Sequence, residues 1–133
     1  MKYLLDTQIL IWAIEQKDKL TKEVKEILET SSSIYVSIES LREIAIKHKA
    51  GDISFKMPFH NFINKLQIDF GIKIINTELN HVLQFYELNA KPKHKDPFDH
   101  IIICTAIKSK CTIISSDDNF PFYRNQGLQL IEN

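Results

Sequence analysis

Tyr3-Leu4-Leu5-Asp6-Thr7-Gln8-Ile9-Leu10-Ile11-Trp12-Ala13 packs three signals into one short stretch. Tyr3-Leu4-Leu5 is an apolar run suited to a buried strand, Asp6-Thr7 is a helix cap, and Ile9, Leu10, Trp12 and Ala13 follow with helical spacing. A strand feeding a helix is thereby predicted, and the same unit recurs downstream. Lys19 to Glu29 repeats the amphipathic period through Leu20, Val24, Ile27 and Leu28, and Ser31-Ser32-Ser33 breaks it before a second strand, Ile34 to Val36. Ser37 or Ser40 caps a helix through Leu41, Ile44, Ala45 and His48, which Gly51 ends. Phe59 to Ile68 predicts a helix, Ile72 to Ile75 a strand, and Thr77 the cap of a helix carrying Leu79, Val82, Leu83 and Phe85. After a basic loop, Lys91 to Lys95, Pro97 suits a first helical position, where its missing amide hydrogen would have no intrahelical partner. That helix should run from about Pro97 to Lys110. Thr112-Ile113-Ile114 predicts a buried strand, Ser115 to Asn119 its exit loop, and Leu128 to Ile131 a last strand. Strands alternating with helices predict an α/β fold: three α/β/α layers around a mainly parallel sheet, with ligands outside the carboxyl ends of the strands.

The 133 residues, 44% hydrophobic and 26% charged, fit one globular domain. Three glycines and four prolines exclude a collagen-like or linker composition, and runs such as Ile101-Ile102-Ile103-Cys104 fall far short of a membrane span. No membrane association is expected. Seventeen basic and seventeen acidic residues cancel, so no global field advertises a polyanion and any nucleic-acid binding must be local. Cys104 and Cys111 lack zinc-site spacing and the density of a secreted scaffold, which predicts buried, reduced thiols. The N-terminus reaches Asp6 after two leucines, too soon for a signal peptide, and a cytoplasmic location is expected.

Function is written in carboxylates. Asp6 and Asp117 each follow a predicted strand, and a parallel sheet would bring those exits to one edge. Asp96 and Asp99 open the helix after the basic loop, and Glu43 lies on the helix after the second strand. If these acids meet, like charges about 4 Å apart repel by about 4 kcal/mol at an effective dielectric of about 20. A hard divalent ion such as Mg2+ or Mn2+ relieves that repulsion, lowers the pKa of a water and neutralises charge on a scissile phosphate. Each acid also has an ordinary structural reading. Asp6 caps its helix, Asp96 with Asp99 makes an N-terminal acid pair favoured by the helix dipole, Glu43 pairs on the surface with Lys47, and Asp117-Asp118 suit a turn.

Read together, Leu4-Leu5-Asp6-Thr7, Ser37 through Glu43-Ile44-Ala45-Ile46-Lys47, Asp96-Pro97-Phe98-Asp99 before an isoleucine-rich helix, and Ser115-Ser116-Asp117 make a set that resembles the PIN-domain nucleases of the VapC toxin type. The resemblance covers almost the whole chain and implies a single PIN domain over residues 1–133. It implies that Asp6, Glu43, Asp99 and Asp117 are the catalytic, metal-binding acids, holding one or two Mg2+ or Mn2+ ions for RNA cleavage, with Asp96 as an accessory acid. It further implies a type II toxin-antitoxin pair, a homodimer, and a cognate antitoxin in the active-site groove. Arg42 departs from the tryptophan that this branch of the family often carries before the glutamate, which bears on packing or substrate contact. Asp118 beside Asp117 leaves the fourth ligand open.

Around these acids, Ser115 either orients a carboxylate or water or bonds its own turn, and Thr7 either supports the metal site or completes the cap. Lys91, Lys93, His94, Lys95 and His100 meet RNA phosphates or form a solvated loop, and Lys47 contacts phosphate or Glu43. Trp12, Phe98 and Phe120 are expected to fill core rather than stack on bases. Lys19 to Glu29 and Pro58 to Ile68 carry apolar stripes that face a partner or the sheet. The expected activity is a metal-dependent endoribonuclease using activated water with no covalent protein intermediate; the alternative is a non-catalytic PIN-like module that binds RNA or protein. A haloacid-dehalogenase-type phosphotransferase would carry a second aspartate where Gln8 stands, and no glycine-rich phosphate loop supports a nucleoside triphosphatase.

Overall fold

A strand whose consecutive side chains are both fully buried has to lie between two covering layers, and Leu4 and Leu5 are such a pair. The computed structural model describes all residues 1–133, and in it β1 (Tyr3–Leu5) is the centre of a five-stranded sheet. It is flanked by β2 (Ile34–Ser37) and β4 (Thr112–Ser115), with β3 (Lys73–Ile75) and β5 (Gln129–Glu132) at the edges. Every pairing is parallel, in the order β3-β2-β1-β4-β5. Leu5 pairs in register with Val36 on one side and Ile114 on the other, and all three face one core. Leu4 and Ile113 point the other way into a second.

The first core takes Ile9, Leu10 and Ala13 of α1 (Thr7–Glu15), Val24 of α2 (Lys22–Thr30), Leu41 and Ile44 of α3 (Ile38–Ala50) and Phe62 of α4 (Phe59–Asn64). The second takes Ile101, Ile102, Ile103 and Ala106 of α6 (Pro97–Ser109), with Phe120 and Tyr123 of a 3-10 helix, Phe120–Gln126. The remaining helix, α5 (Leu79–Glu87), packs on α6. This is the expected three-layer α/β/α arrangement, with a sheet that is wholly parallel. No helix is long and apolar enough to cross a membrane.

Local chemistry accounts for most boundaries. Ser37 Oγ accepts from the Glu39 amide at 3.0 Å, so Ser37 rather than Ser40 caps α3, and Gly51 ends that helix at φ 85°, which a side chain would resist. Asp96 caps α6 with Pro97 beside it. Thr77 does not cap α5; its hydroxyl donates to Glu39 Oε2 at 2.9 Å, and the cap position passes to Glu78, whose amide is taken by His81 Nδ1 at 2.9 Å. The helix predicted over Phe59 to Ile68 is α-helical only to Asn64 and then widens into a π turn, Lys65–Asp69. The one stretch predicted as a helix from Lys19 begins three residues later, behind a 3-10 turn at Lys17–Lys19 and a Thr21 cap. Cys104 and Cys111 are free and buried, as their spacing suggested.

Candidate active site

Because β1 and β4 are parallel neighbours, their carboxyl ends leave the sheet side by side; the Asp6 amide donates to the Ile114 carbonyl at 3.0 Å. Asp6 therefore sits at the start of α1 and Asp117 just past β4, above one sheet edge. The start of α6 delivers Asp96 and Asp99, and α3 leans in from the far side of β1 with Glu43. The five carboxylates line one cavity of about 320 Å³, together with Thr7, Lys47 and Ser116. Asp118, by contrast, is exposed and does not line it.

The caps and turns expected of these acids are formed by the same side chains that line the cavity. Asp6 Oδ1 accepts from the Thr7 amide at 2.8 Å, and its Oδ2 accepts the Ser115 hydroxyl at 2.8 Å. Ser115 Oγ in turn accepts from the Asp117 amide at 3.0 Å, so this serine both makes its turn and orients the carboxylate. Asp96 Oδ1 caps the Phe98 and Asp99 amides at 2.9 and 3.4 Å while lining the cavity. Asp117 Oδ1 accepts from the Asn119 amide at 2.8 Å.

Of the two readings of Glu43, the solvated surface glutamate is the one the structure overturns: the residue is only 5% exposed and faces Thr7 of α1. Its pairing with Lys47 survives at 2.7 Å, and its other oxygen accepts the Thr7 hydroxyl at 2.7 Å, with Ser40 Oγ 3.0 Å from Thr7 Oγ1. Thr7 thus does more than complete a cap.

Burial and mutual repulsion act on the acids as expected for a cluster. Burial, then the charge of Asp99, outweigh the Ser115 hydrogen bond and push the Asp6 carboxyl up to about 7. Burial, then the charges of Asp96, Asp117 and Glu43, push Asp99 up to about 8. Lys47 moves up as well, chiefly through its bond to Glu43, and stays cationic. Carboxylate oxygens gathered this closely, two of them reluctant to ionise, form a donor set of the kind a hard divalent cation satisfies.

Of the basic loop, Lys93 and Lys95 are exposed and do not line the cavity, and Lys91 Nζ reaches Asn119 Oδ1 at 3.2 Å. His94 is the residue the sequence did not place. Expected beside RNA phosphates, it is instead 5% exposed, with Nε2 at 2.9 Å from Asp99 Oδ2 and Nδ1 at 2.7 Å from the Tyr123 hydroxyl. Ligand atoms of His94, Asp99 and Asp117 all lie within 4.8 Å of one another. A histidine among lysines gives no local sign of this; the inward turn depends on Lys93 adopting φ 71°. Phe120 is core, as expected, with Phe98 partly buried against that second core and Trp12 partly buried against the first; Arg42 lies over the Phe98 ring at 4.9 Å and pairs with Glu39 at 2.7 Å, a packing role for the residue standing in place of tryptophan.

Comparison with known proteins gives a consistent result. A PIN domain family model matches residues 3–126. The fold is similar to that in the crystal structure of VapBC2 from Rickettsia felis bound to a promoter DNA fragment, at 20% identity and TM-score 0.73, covering 99% of this chain and 98% of that one. It is also similar to DNA-bound VapBC from Salmonella typhimurium, at 17% identity and TM-score 0.69, and to VapBC-1 from nontypeable Haemophilus influenzae, at 19% and 0.68, each covering 99% of this chain and 98% of the other. No curated protein matches the sequence.

Proposed function

The chain belongs to the PIN domain family, and on that premise we propose that it is a metal-dependent endoribonuclease, the toxin of a type II toxin-antitoxin pair. One observation carries the reading: Asp6, Glu43, Asp96, Asp99 and Asp117, from four separate stretches of sequence, line a single cavity with a lysine on its wall. A structural glutamate or cap has no need of four others.

Asp6, Glu43, Asp99 and Asp117 would hold one or two Mg2+ or Mn2+ ions, with Asp96 accessory. A bound ion of this kind supplies positive charge that offsets the repulsion among the carboxylates and makes a water acidic enough to attack phosphorus near neutral pH. The chain's own groups do the rest. Ser115 and the Thr7 amide fix both oxygens of Asp6, Thr7 and Lys47 fix both oxygens of Glu43, and the acids are thus preorganised rather than gathered on binding. The Lys47 ammonium, half-exposed beside the cavity, attracts an RNA phosphate toward a pocket that would otherwise repel it. Lys93 and Lys95, on the solvent side of the loop, serve the flanking phosphates. A carboxylate oxygen of the cluster accepts the proton of the attacking water.

The fold likeness to VapBC complexes supports an antitoxin partner, and a homodimer fits α5, which exposes Leu79, Val82, Leu83 and Tyr86 to solvent. A cytoplasmic location and a single PIN domain over the whole chain complete the reading. The test is cleavage of RNA by the purified protein in Mg2+ or Mn2+. Asp6→Asn and Asp99→Asn should lose cleavage while keeping the wild-type circular dichroism spectrum, and chelator should silence the wild type. Full activity in chelator would overturn the proposal. RNA or partner binding with no cleavage at high Mn2+ would favour the non-catalytic module instead.

A further inference from the structure

We propose that His94 and Tyr123 are a positioning pair that fixes the orientation of Asp99 through a hydrogen-bond chain of one polarity. The inference rests on the cation-binding reading of the cavity and adds to it a device for holding one ligand.

Tyr123 is fully buried in the core behind α6, and its hydroxyl meets two groups, the Lys91 amide at 2.9 Å and His94 Nδ1 at 2.7 Å. An amide N–H only donates, so Lys91 occupies a lone pair of the hydroxyl and leaves the hydroxyl hydrogen to go to Nδ1. A neutral imidazole that accepts at Nδ1 carries its hydrogen on Nε2, and that nitrogen lies 2.9 Å from Asp99 Oδ2. The chain therefore runs from Lys91 to Tyr123 to His94 to Asp99, every donor facing an acceptor. Asp99 Oδ2 thus accepts from the ring, and the bond sets the angle at which this carboxylate meets the cavity it lines.

The ring is held as firmly as the carboxylate it holds. It packs edge-on against His100 with centroids 4.7 Å apart and lies against Phe120 and Tyr123, and the turn that inserts it is closed by the His94 amide donating to the Lys91 carbonyl at 2.9 Å. Lys93 takes a left-handed φ of 71°, uncommon for a residue with a side chain, to complete that turn. A carboxylate whose partner fixes its angle loses less freedom when it takes up a cation, and removing such a partner generally costs about 10–100-fold in metal affinity.

Two measurements on the purified full chain test this. The first uses no metal: the ring 15N shifts of His94 should show the hydrogen on Nε2 in the wild type, a preference that Tyr123→Phe should weaken. A wild-type ring protonated on Nδ1 alone would overturn the chain. The second is calorimetric titration with Mn2+. His94→Ala should bind it about 10–100-fold more weakly, Tyr123→Phe several-fold more weakly, and His94→Gln, whose amide can still donate to Asp99, should recover most of the loss. Folded variants that melt lower yet bind Mn2+ with wild-type affinity would reduce the pair to a packing role and refute the proposal. A wild type that binds no Mn2+ would refute the parent reading, and the ring tautomer would still decide whether the chain exists. Should His94→Ala not fold, Tyr123→Phe and His94→Gln carry the comparison.

Discussion

Replacing Asp6 with asparagine should make the cation-free protein more stable, the opposite of what removing a hydrogen-bonded buried side chain ordinarily does. The carboxyl rises from 3.8 to about 7, with burial as the first cause and the charge of Asp99 adding to it. At about 1.36 kcal/mol per pH unit, ionising Asp6 in the folded protein costs about 4 kcal/mol relative to the unfolded chain. The sign follows from proton binding. Between these two values the folded state holds the proton and the unfolded state does not, so this contribution to stability is intact below 3.8 and is lost as pH rises through about 7. Asparagine is neutral throughout, its oxygen can still accept from the Thr7 amide, and Ser115 can accept from its amide nitrogen. The variant should therefore gain about 2–4 kcal/mol over wild type at pH 8 and little or nothing at pH 4, the lower figure allowing for relaxation of the coupled Asp99. Urea unfolding in chelator at the two pH values measures the difference. The difference is the quantity to read, because His100, pushed down by burial and His94, gives the absolute curve an opposing slope. Adding Mn2+ at pH 8 should raise the wild type and leave Asp6→Asn nearly unmoved. An Asp6→Asn protein less stable than wild type at pH 8 would show that the aspartate is a structural cap and refute the electrostatic account.

Lys47→Met should remove the partner of a buried Glu43, costing about 1–3 kcal/mol of stability in urea unfolding without added cation, and should weaken RNA binding in a filter assay. An unchanged unfolding midpoint would mean that the Lys47–Glu43 pair contributes nothing. Leu83→Glu, placing a charge on the apolar face of α5, should convert a dimer to a monomer in sedimentation velocity with no loss of monomer stability, since Leu83 is 59% exposed. An unaltered dimer would put the interface elsewhere.

The fold was legible because its decisive signals are local. Leu4-Leu5, Ile34 to Val36 and Ile113-Ile114 are continuous apolar runs, each with its helix following or preceding it in sequence, and a sheet buried on both faces requires that pattern. Caps at Asp6, Ser37 and Asp96 use side chains that bond amides one to three residues away, so sequence neighbours suffice to predict them. Thr77 misled for the complementary reason. Its hydroxyl had a distant competitor in Glu39, and a cap is surrendered when a tertiary partner is better placed.

The same distinction divides the candidate site. Asp6, Asp96, Asp99 and Asp117 could be nominated because a strand exit or a helix start is itself a local feature, and a parallel sheet places such features on one edge whatever the intervening sequence. Glu43, named as a site acid through the family resemblance, and His94, which was not, could not be placed by that route. Helical periodicity sets Glu43 apart from the apolar stripe of α3, and it is buried only because Thr7 and Lys47, from another helix and one turn on, supply bonds to both of its oxygens. His94 is drawn inward by a tyrosine hydroxyl that follows it by 29 positions and lies in a 3-10 helix with no periodicity to announce it. What brings a charged or polar side chain into the interior is the partner waiting there, so its burial is decided by tertiary pairing rather than by its neighbours in the chain. The residues hardest to read were accordingly those whose hydrogen bonds hold the cavity's carboxylates in place.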